Sequence, residues 1–192
     1  MNTSSYVVEN VLTAALKAHS EANPLFVVAY ADNVPQTGRG IAAMYQDAIV
    51  GKAPFLVFDG ANNASYFGSE NNMLYRTMHD IDHAKAYIGG TGGTTKLIDE
   101  LKLNLKMAKR IYEGALKMGF DQIAINAFWG MFHDACGQVY YYSKNKDFVQ
   151  DQIKETQRRI DAMSMHWHNH FMVSIVIEYI ESMTDFDYRF DI

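Results

Sequence analysis

The segment MLYRTMHDIDHAKAYI (residues 73–88) contains two histidines and two aspartates within a stretch of five residues. His79 and His83 are four residues apart, so a helix would place them on one face, one turn apart. Asp80 and His83 are three apart and also neighbours, a variant of the Glu-x-x-His pair of metal-binding bundles. Imidazole and carboxylate donors favour iron or manganese, with zinc also suitable, over calcium or magnesium. The segment predicts a divalent metal site with His79, Asp80 and His83 as ligands.

A second segment, DQIAINAFWGMFHDACGQVYYY (residues 121–142), has apolar side chains all around a helical wheel, which predicts a buried helix. His133, Asp134 and Gln138 would be buried with it, and a buried carboxylate needs a partner. Both this segment and the first place Met before a His-Asp pair, which would let two helices face one site. Asp134, with His133, is therefore a candidate ligand, and a core hydrogen-bond network is the alternative. Gln138 lies four residues after Asp134 and shares its face.

Arg76 lies on the same side of the first helix as the candidate ligands, and the opposite side is apolar (Leu74, Met78, Ile81 and Ile88). Aromatic residues also flank the polar side, which is unusual for a solvated surface. We therefore expect a helix buried on two sides, with its polar cluster facing an internal site. Arg76 and Gln138 are the candidate catalytic residues.

The pattern along the chain predicts a mainly α protein: a helical bundle, ferritin-like or HD-like, with a small β element near the N-terminus. We expect a single domain over residues 1–192, with the N-terminal helix and short strands in 1–68 and the helical core in 69–192. The predicted helices cover Thr3–Ala22, 40–50, 73–88, a stretch ending at about Lys117, 121–142 and an interrupted 147–183. The predicted strands are Leu25–Tyr30 and Pro54–Phe58.

Several residues remain unassigned at this level. The GGTGG segment, residues 89–93, predicts a flexible connection between helices. Glu100 and Glu113 are acidic residues that could point inward, and the pattern selects neither. His19 is expected to be a partly exposed residue at a helix end. The roles of three further histidines stay undetermined (His166, His168 and His170).

Composition narrows the function classes. The formal net charge of −5, without a run of Lys or Arg, does not favour nucleic-acid binding. No stretch of eighteen apolar residues predicts a membrane span, and the N-terminus lacks the pattern of a signal peptide, so we expect a cytoplasmic protein. The 13% of aromatic residues could line an apolar pocket for a small-molecule substrate. The sequence is compatible with a homo-oligomer.

The segment from Met44 to Gln138 resembles uncharacterised phage and bacterial proteins. These share an aromatic-Arg-x-x-His-Asp motif with a second histidine, and an acidic-x-x-Gly-Gln motif downstream (here Tyr75, Arg76, His79, Asp80, His83, Asp134, Gly137 and Gln138). This resemblance implies a shared site without naming an activity. The His79-Asp80 pair also resembles the HD phosphohydrolase superfamily, which binds metal through a His-Asp pair and a distal Asp, and the resemblance implies Asp134 for the latter.

Three functions follow. The first is a non-haem iron or manganese oxidase or oxygenase acting on a small substrate in an apolar cavity, and it is slightly favoured. The second is an HD-type nucleotide phosphohydrolase, in which Arg76 would hold phosphate. The third is a non-enzymatic, phage-type binding protein whose histidines form a structural network. Cationic side chains near the metal would favour the second, and a dry cavity would favour the first.

Overall fold

A computed structural model describes residues 3–60, 65–94, 96–147 and 149–184, and it is mainly α-helical. Its elements are α1 (Thr3–Ala22), β1 (Val28–Ala31), α2 (Gly38–Ile49), β2 (Phe55–Phe58), α3 (Ser69–Ile88), α4 (Leu97–Lys117), α5 (Asp121–Met131), a π-helical turn (Phe132–Cys136), α6 (Gly137–Asn145), α7 (Gln152–Ala162), a 3₁₀ turn (Met165–Trp167) and α8 (His170–Ser182). The predicted mainly α class with a small N-terminal β element is confirmed. The choice between ferritin-like and HD-like stays a prediction.

The β element is a parallel pair with α2 as the crossover between its strands. Val28 pairs with Phe55, and the register continues to Ala31 with Phe58. The predicted first strand, Leu25–Tyr30, begins too early, since the observed strand starts at Val28. Leu25 and Val27 precede the observed strand and are exposed. The pair places the end of β2 beside α3, where Arg76 donates a hydrogen bond to the carbonyl oxygen of Phe58.

The core lies among α1, α3, α4, α5 and α8, where one cluster of buried apolar side chains joins residues from both predicted halves of the chain. Its members include Leu12 of α1, Ile81 of α3, Ile111 of α4, Trp129 of α5 and Ile180 of α8. In α4 the buried side chains recur at helical spacing, as the sequence predicts. This packing holds α3 and α4 against each other along the faces that carry the candidate site.

The predicted helix 121–142 is present but contains one wider, π-helical turn at Phe132–Cys136. A π turn inserts an extra residue into a helix and is frequent at functional sites. Periodicity at 3.6 residues could not reveal it, because all sides of this segment are apolar. The turn carries both His133 and Asp134, so it changes the directions in which these two side chains point.

The prediction that His19 is partly exposed is wrong. His19 is 6% exposed and packs against Phe26 and Tyr45, with ring centroids at 4.6 and 5.6 Å. Its Nδ1 lies 3.2 Å from Nζ of Lys85 on α3. The chain turns back after α1, and this turn covers a residue that looks terminal in the sequence. Among the described residues, no helix combines the length and apolarity that crossing a membrane requires.

Candidate metal centre

Three side chains from two helices converge at the interface of α3 and α4. His79 and His83 stand one turn apart on α3, and Glu100 reaches them from the first turns of α4. His83 Nε2 lies 2.9 Å from one Glu100 carboxylate oxygen, and His79 Nε2 lies 3.5 Å from the other. Their three donor atoms lie within 4.8 Å of one another, a grouping that could hold a metal ion.

Each histidine is oriented through its other ring nitrogen. His79 Nδ1 lies 3.5 Å from Oδ1 of Asp80, and His83 Nδ1 lies 3.3 Å from the carbonyl oxygen of Gly93. A carboxylate or carbonyl on the second nitrogen is the usual outer contact of a metal-binding histidine, since it sets the tautomer and the ring direction. Both Nε2 atoms are therefore turned toward Glu100.

Gly93 shows that the glycine-rich segment is more than a flexible connection. Its φ is +70°, and a Cβ there would lie 2.4 Å from the carbonyl oxygen of His83. Only glycine permits this close approach of the loop to the end of α3. The loop thereby brings the Gly93 carbonyl within reach of the His83 ring.

Tyr75 and Asn104 support the cluster from one side. The Tyr75 ring stacks on the His79 ring, with centroids 5.5 Å apart and 27° between their planes. The Tyr75 hydroxyl donates a hydrogen bond to the Asn104 side-chain oxygen on α4. Burial raises the pKa of Tyr75 well above its ordinary value, so this phenol stays protonated and remains a donor.

The electrostatics of the cluster favour a positive charge. Burial opposes a charge on His79, but the adjacent Asp80 and Glu100 carboxylates raise its pKa to about 9. Burial also opposes ionisation of Glu100, yet the two histidines lower its pKa to about 2. The site thus retains a proton that a divalent cation could replace, as metal binding requires.

Two of the separations between the donors have the size that a shared metal ion requires. Donors about 2.1 Å from one metal ion lie roughly 3.0 Å apart at right angles and roughly 3.4 Å apart in a tetrahedron. The two nitrogen-to-oxygen separations of 2.9 and 3.5 Å, each to a different oxygen of Glu100, are close to these values. His79 Nε2 is buried and lacks a hydrogen-bond partner among the described residues, which a metal would supply. The nitrogen-rich donor set suits iron, manganese or zinc and does not by itself choose among them.

A cavity of about 580 Å³ adjoins the cluster, between α3, α4 and the helix that contains the π turn. This volume is in the range of small-molecule sites. Its wall is polar near the cluster and mixed elsewhere. The polar residues away from the cluster include Gln36, Ser65, Asn72, Asp134, Gln138 and Gln152, and the apolar and aromatic ones include Val34, Pro35, Ile41, Phe58, Leu97, Met131, Ala135, Val139 and Tyr142. The cluster therefore borders a space in which a substrate could be held.

Asp80 was predicted as a ligand, but it lies outside the group of three donors and contacts His79 Nδ1 instead. Arg76 lines the cavity, and its NH1 donates to the carbonyl oxygens of Phe58 and Gly60 at 2.9 and 2.6 Å. Gln138 also lines it, and its Oε1 accepts from the backbone N–H of Val149 at 3.2 Å. Both predicted catalytic residues thus anchor backbone segments at the cavity wall.

The structure places His133 away from the cluster. Its ring stacks on Trp129, and its Nε2 lies 3.1 Å from the Met163 sulfur. Burial, with the nearby Arg159 guanidinium, lowers the pKa of His133 to about 3. The prediction that His133 is buried is correct, but its surroundings are those of a neutral core histidine rather than a ligand of this site.

Asp134 lines the cavity without joining the three donors. Its Oδ2 accepts hydrogen bonds from the Ser65 hydroxyl and the Tyr66 N–H, each at 3.0 Å. These contacts match the predicted hydrogen-bond alternative. Among the C-terminal histidines, His170 contacts the Tyr112 hydroxyl at 2.7 Å and His166 is exposed; none of the three belongs to the donor group.

Glu100 is the ligand that the sequence did not select. A signal was present in its helical neighbours: residues three before and four after it are Leu97 and Asn104, which both line the cavity. Glu113, the other candidate on this helix, has Arg110 and Lys117 at the equivalent spacings and is exposed. Acidic residues on a helix are thus better ranked as candidate metal ligands when the polarity of the residues one turn before and one turn after them is considered.

Comparison of the chain with protein-family models, with curated proteins and with solved structures finds no match. The resemblances to phage and bacterial proteins and to HD phosphohydrolases stay predictions. The class of site therefore rests on its own geometry: a possible divalent metal centre with two histidines and one glutamate, on a helical scaffold.

Proposed function

We propose that this protein is an enzyme that binds iron or manganese on His79, His83 and Glu100 and oxidises a small, largely apolar substrate. The observation that supports it most is the convergence of two oriented Nε2 atoms and one carboxylate beside a cavity. Two histidines and one carboxylate are the donor set of non-haem iron oxygenases. Three protein donors leave other coordination positions for oxygen or substrate.

The cavity lining supports oxidation over phosphoryl transfer. Arg76 is the only Lys or Arg among the described residues that line the cavity, and two backbone carbonyls already occupy its NH1. A nucleotide phosphohydrolase needs cationic donors for its phosphates. The apolar part of the wall would instead contact the uncharged body of a small substrate.

The surrounding residues have distinct roles in this proposal. The metal would supply oxygen activation, while Asp80 and the Gly93 carbonyl hold the two imidazole rings through Nδ1. Tyr75 stacks on His79 and keeps its hydroxyl on Asn104, which restricts the rotation of that ring. The substrate would occupy the cavity beside the donors.

A zinc hydrolase is the second candidate function. Two histidines and a glutamate also form the protein ligands of catalytic zinc sites. The order His-Asp-x-x-His in α3 has a carboxylate directly after the first histidine, as zinc proteases of the His-Glu-x-x-His type do. Asp80, however, faces His79 Nδ1, where it orients the ring rather than activates water.

The test is anaerobic titration of metal-free protein with Fe(II), Mn(II) and Zn(II), followed by addition of nitric oxide to the ferrous form. We expect a single metal ion per chain and the EPR signal of a high-spin iron–nitrosyl, because nitric oxide binds only where a coordination position is open. Affinity alone does not identify the metal, since zinc exceeds iron and manganese at most such sites. Oxygen consumption by the iron or manganese form separates oxidase from hydrolase.

The matched variants are Glu100→Ala and Glu113→Ala, which remove one acidic side chain each from α4. Glu100→Ala should weaken metal binding on the order of a thousandfold, since even outer contacts contribute about ten- to a hundredfold. Glu113→Ala should leave it unchanged. Equal effects would place the metal elsewhere. Absence of metal from the wild type in every titration would overturn both enzyme functions and leave a binding protein.

A further inference from the structure

Asp134 is a buried carboxylate that the metal centre does not use. It is 8% exposed, it stands on the π turn, and it lines the same cavity as the three metal donors. Glu100 and Asp134 both lie within electrostatic reach of the Tyr75 phenol, where they add to burial in raising its pKa. Three carboxylates thus line the cavity, Asp80 and Glu100 at the metal donors and Asp134 at the π turn.

The two carboxylate oxygens of Asp134 differ in their hydrogen bonds. Oδ2 accepts from Ser65 and Tyr66, and the Thr156 hydroxyl also hydrogen-bonds this carboxylate. Oδ1 is buried and has no hydrogen-bond partner among the described residues. A buried carboxylate oxygen without a donor costs free energy, and a ligand of the cavity that donates to the Asp134 carboxylate would lower that cost.

Among the described residues, no cation is paired with this carboxylate. No Lys, Arg or His of the described residues forms an ion pair with Asp134, and burial raises its pKa to about 6. Asp82, a carboxylate of similar burial, has a Lys and an Arg within 2.9 Å. Buried charges are normally paired, so the unpaired one is a candidate recognition group.

We propose that Asp134 binds the ammonium group of a small amine whose apolar body fills the cavity. This names the substrate class of the proposed enzyme, and it rests on the proposed use of the cavity as the substrate site. An ammonium group offers both the missing hydrogen-bond donor and the missing positive charge. The surrounding wall suits the rest of such a molecule, since Met131, Ala135 and Val139 lie on the same helix as Asp134 and line the cavity.

The test compares phenethylamine with phenethyl alcohol, which has nearly the same shape but no charge. Binding is measured by calorimetry on the full chain, above the pKa of Asp134 so that the carboxylate is ionised. We expect the amine to bind about ten- to a hundredfold more tightly, the usual contribution of a charged hydrogen bond. Equal affinities, or no binding of either probe, would overturn the proposal on wild-type protein alone.

Two isosteric variants locate the contact. Asp134→Asn should bring the amine to the affinity of the alcohol, whereas Glu100→Gln should preserve the difference. Loss of the preference in Glu100→Gln alone would mean that the amine binds at the metal donors, which contradicts the proposal. If Asp134→Asn lowers the melting temperature and keeps the preference, Asp134 serves only to hold residues 65–66.

The same measurements separate this inference from the proposed function. If the protein prefers the amine but takes up no metal, the inference about Asp134 holds and the proposed metalloenzyme function fails. If the protein binds metal at Glu100 but shows no preference for the amine, the proposed metalloenzyme function holds and its substrate belongs to a different class.

Discussion

Two charged clusters cross the same interface between α3 and α4, and their difference separates structure from function. Asp82 is 3% exposed, and its two oxygens lie 2.9 Å from Lys106 and 2.8 Å from Arg110. His83, the next residue, is equally buried but faces Glu100 and the cavity. Successive helical residues point about 100° apart, so two neighbours serve different partners.

The first cluster is complete within the described residues, because each carboxylate oxygen of Asp82 has its own cation. The second is less complete, since one carboxylate serves two histidines and its contact with His79 Nε2, at 3.5 Å, is too long to form a hydrogen bond. Protein interiors seldom leave polar groups unsatisfied without a reason. The contrast teaches that completeness of pairing, more than burial or charge, distinguishes a structural ion pair from a candidate site.

The largest expected effect is on stability, from Asp82→Ala. The variant leaves Lys106 and Arg110 without their buried partner, so the free energy of unfolding should fall by about 3 kcal/mol, the low end for a buried pair because Lys106 is half exposed. Denaturant unfolding measures this change. Metal stoichiometry should not change, and a loss of metal together with an unchanged stability would reverse the assigned roles of the two clusters.

The second effect is the acid sensitivity caused by His133. The pKa of His133 in the folded state, about 3, lies below the ordinary value of 6.5. As pH falls, the unfolded state therefore binds a proton at His133 before the native state does. This stability is present above pH 6.5 and is lost as pH falls toward 3. At pH 5 the loss is about 2 kcal/mol.

The variant His133→Phe removes that titration while keeping a ring beside Trp129. Relative to wild type it should gain about 2 kcal/mol between pH 7 and pH 5, measured by denaturant unfolding at both values. A difference that does not vary with pH would show that the native and unfolded states take up the same number of protons at His133, so that folding does not lower its pKa.

The third effect tests the orienting role of Asp80. Asp80→Asn keeps the size of the side chain but removes the charge beside His79 Nδ1, and metal affinity should fall about tenfold, or about 1.4 kcal/mol. Stability of the metal-free protein should change less than in Asp82→Ala. A loss as large as that of Glu100→Ala would make Asp80 a direct ligand.

The smallest effect is expected at the surface of α4. Lys109 pairs with Glu181 at 2.8 Å, and both side chains are more than one-third exposed. Lys109→Ala should lower the free energy of unfolding by less than about 1 kcal/mol, as exposed pairs do. A change as large as that of Asp82→Ala would mean that burial does not decide the strength of these ion pairs.

The sequence by itself determined the mainly α class, the bounds of α1 and the placement of His79 and His83 on one helical face, because these depend on local periodicity. It also indicated that His133 and Asp134 are buried, since a helix that is apolar on every side has no solvent face. Such features need only the chain within a few turns of each residue.

Only the tertiary structure decided which carboxylate completes the donor group. Glu100 meets the histidines because α4 presents that face to α3 after the Gly93 turn, and no local pattern contains this angle. Periodicity likewise cannot detect the π turn, which carries both Asp134, at the cavity, and His133, packed on Trp129. Local spacing selects the candidates, whereas packing between helices decides which of them share a site.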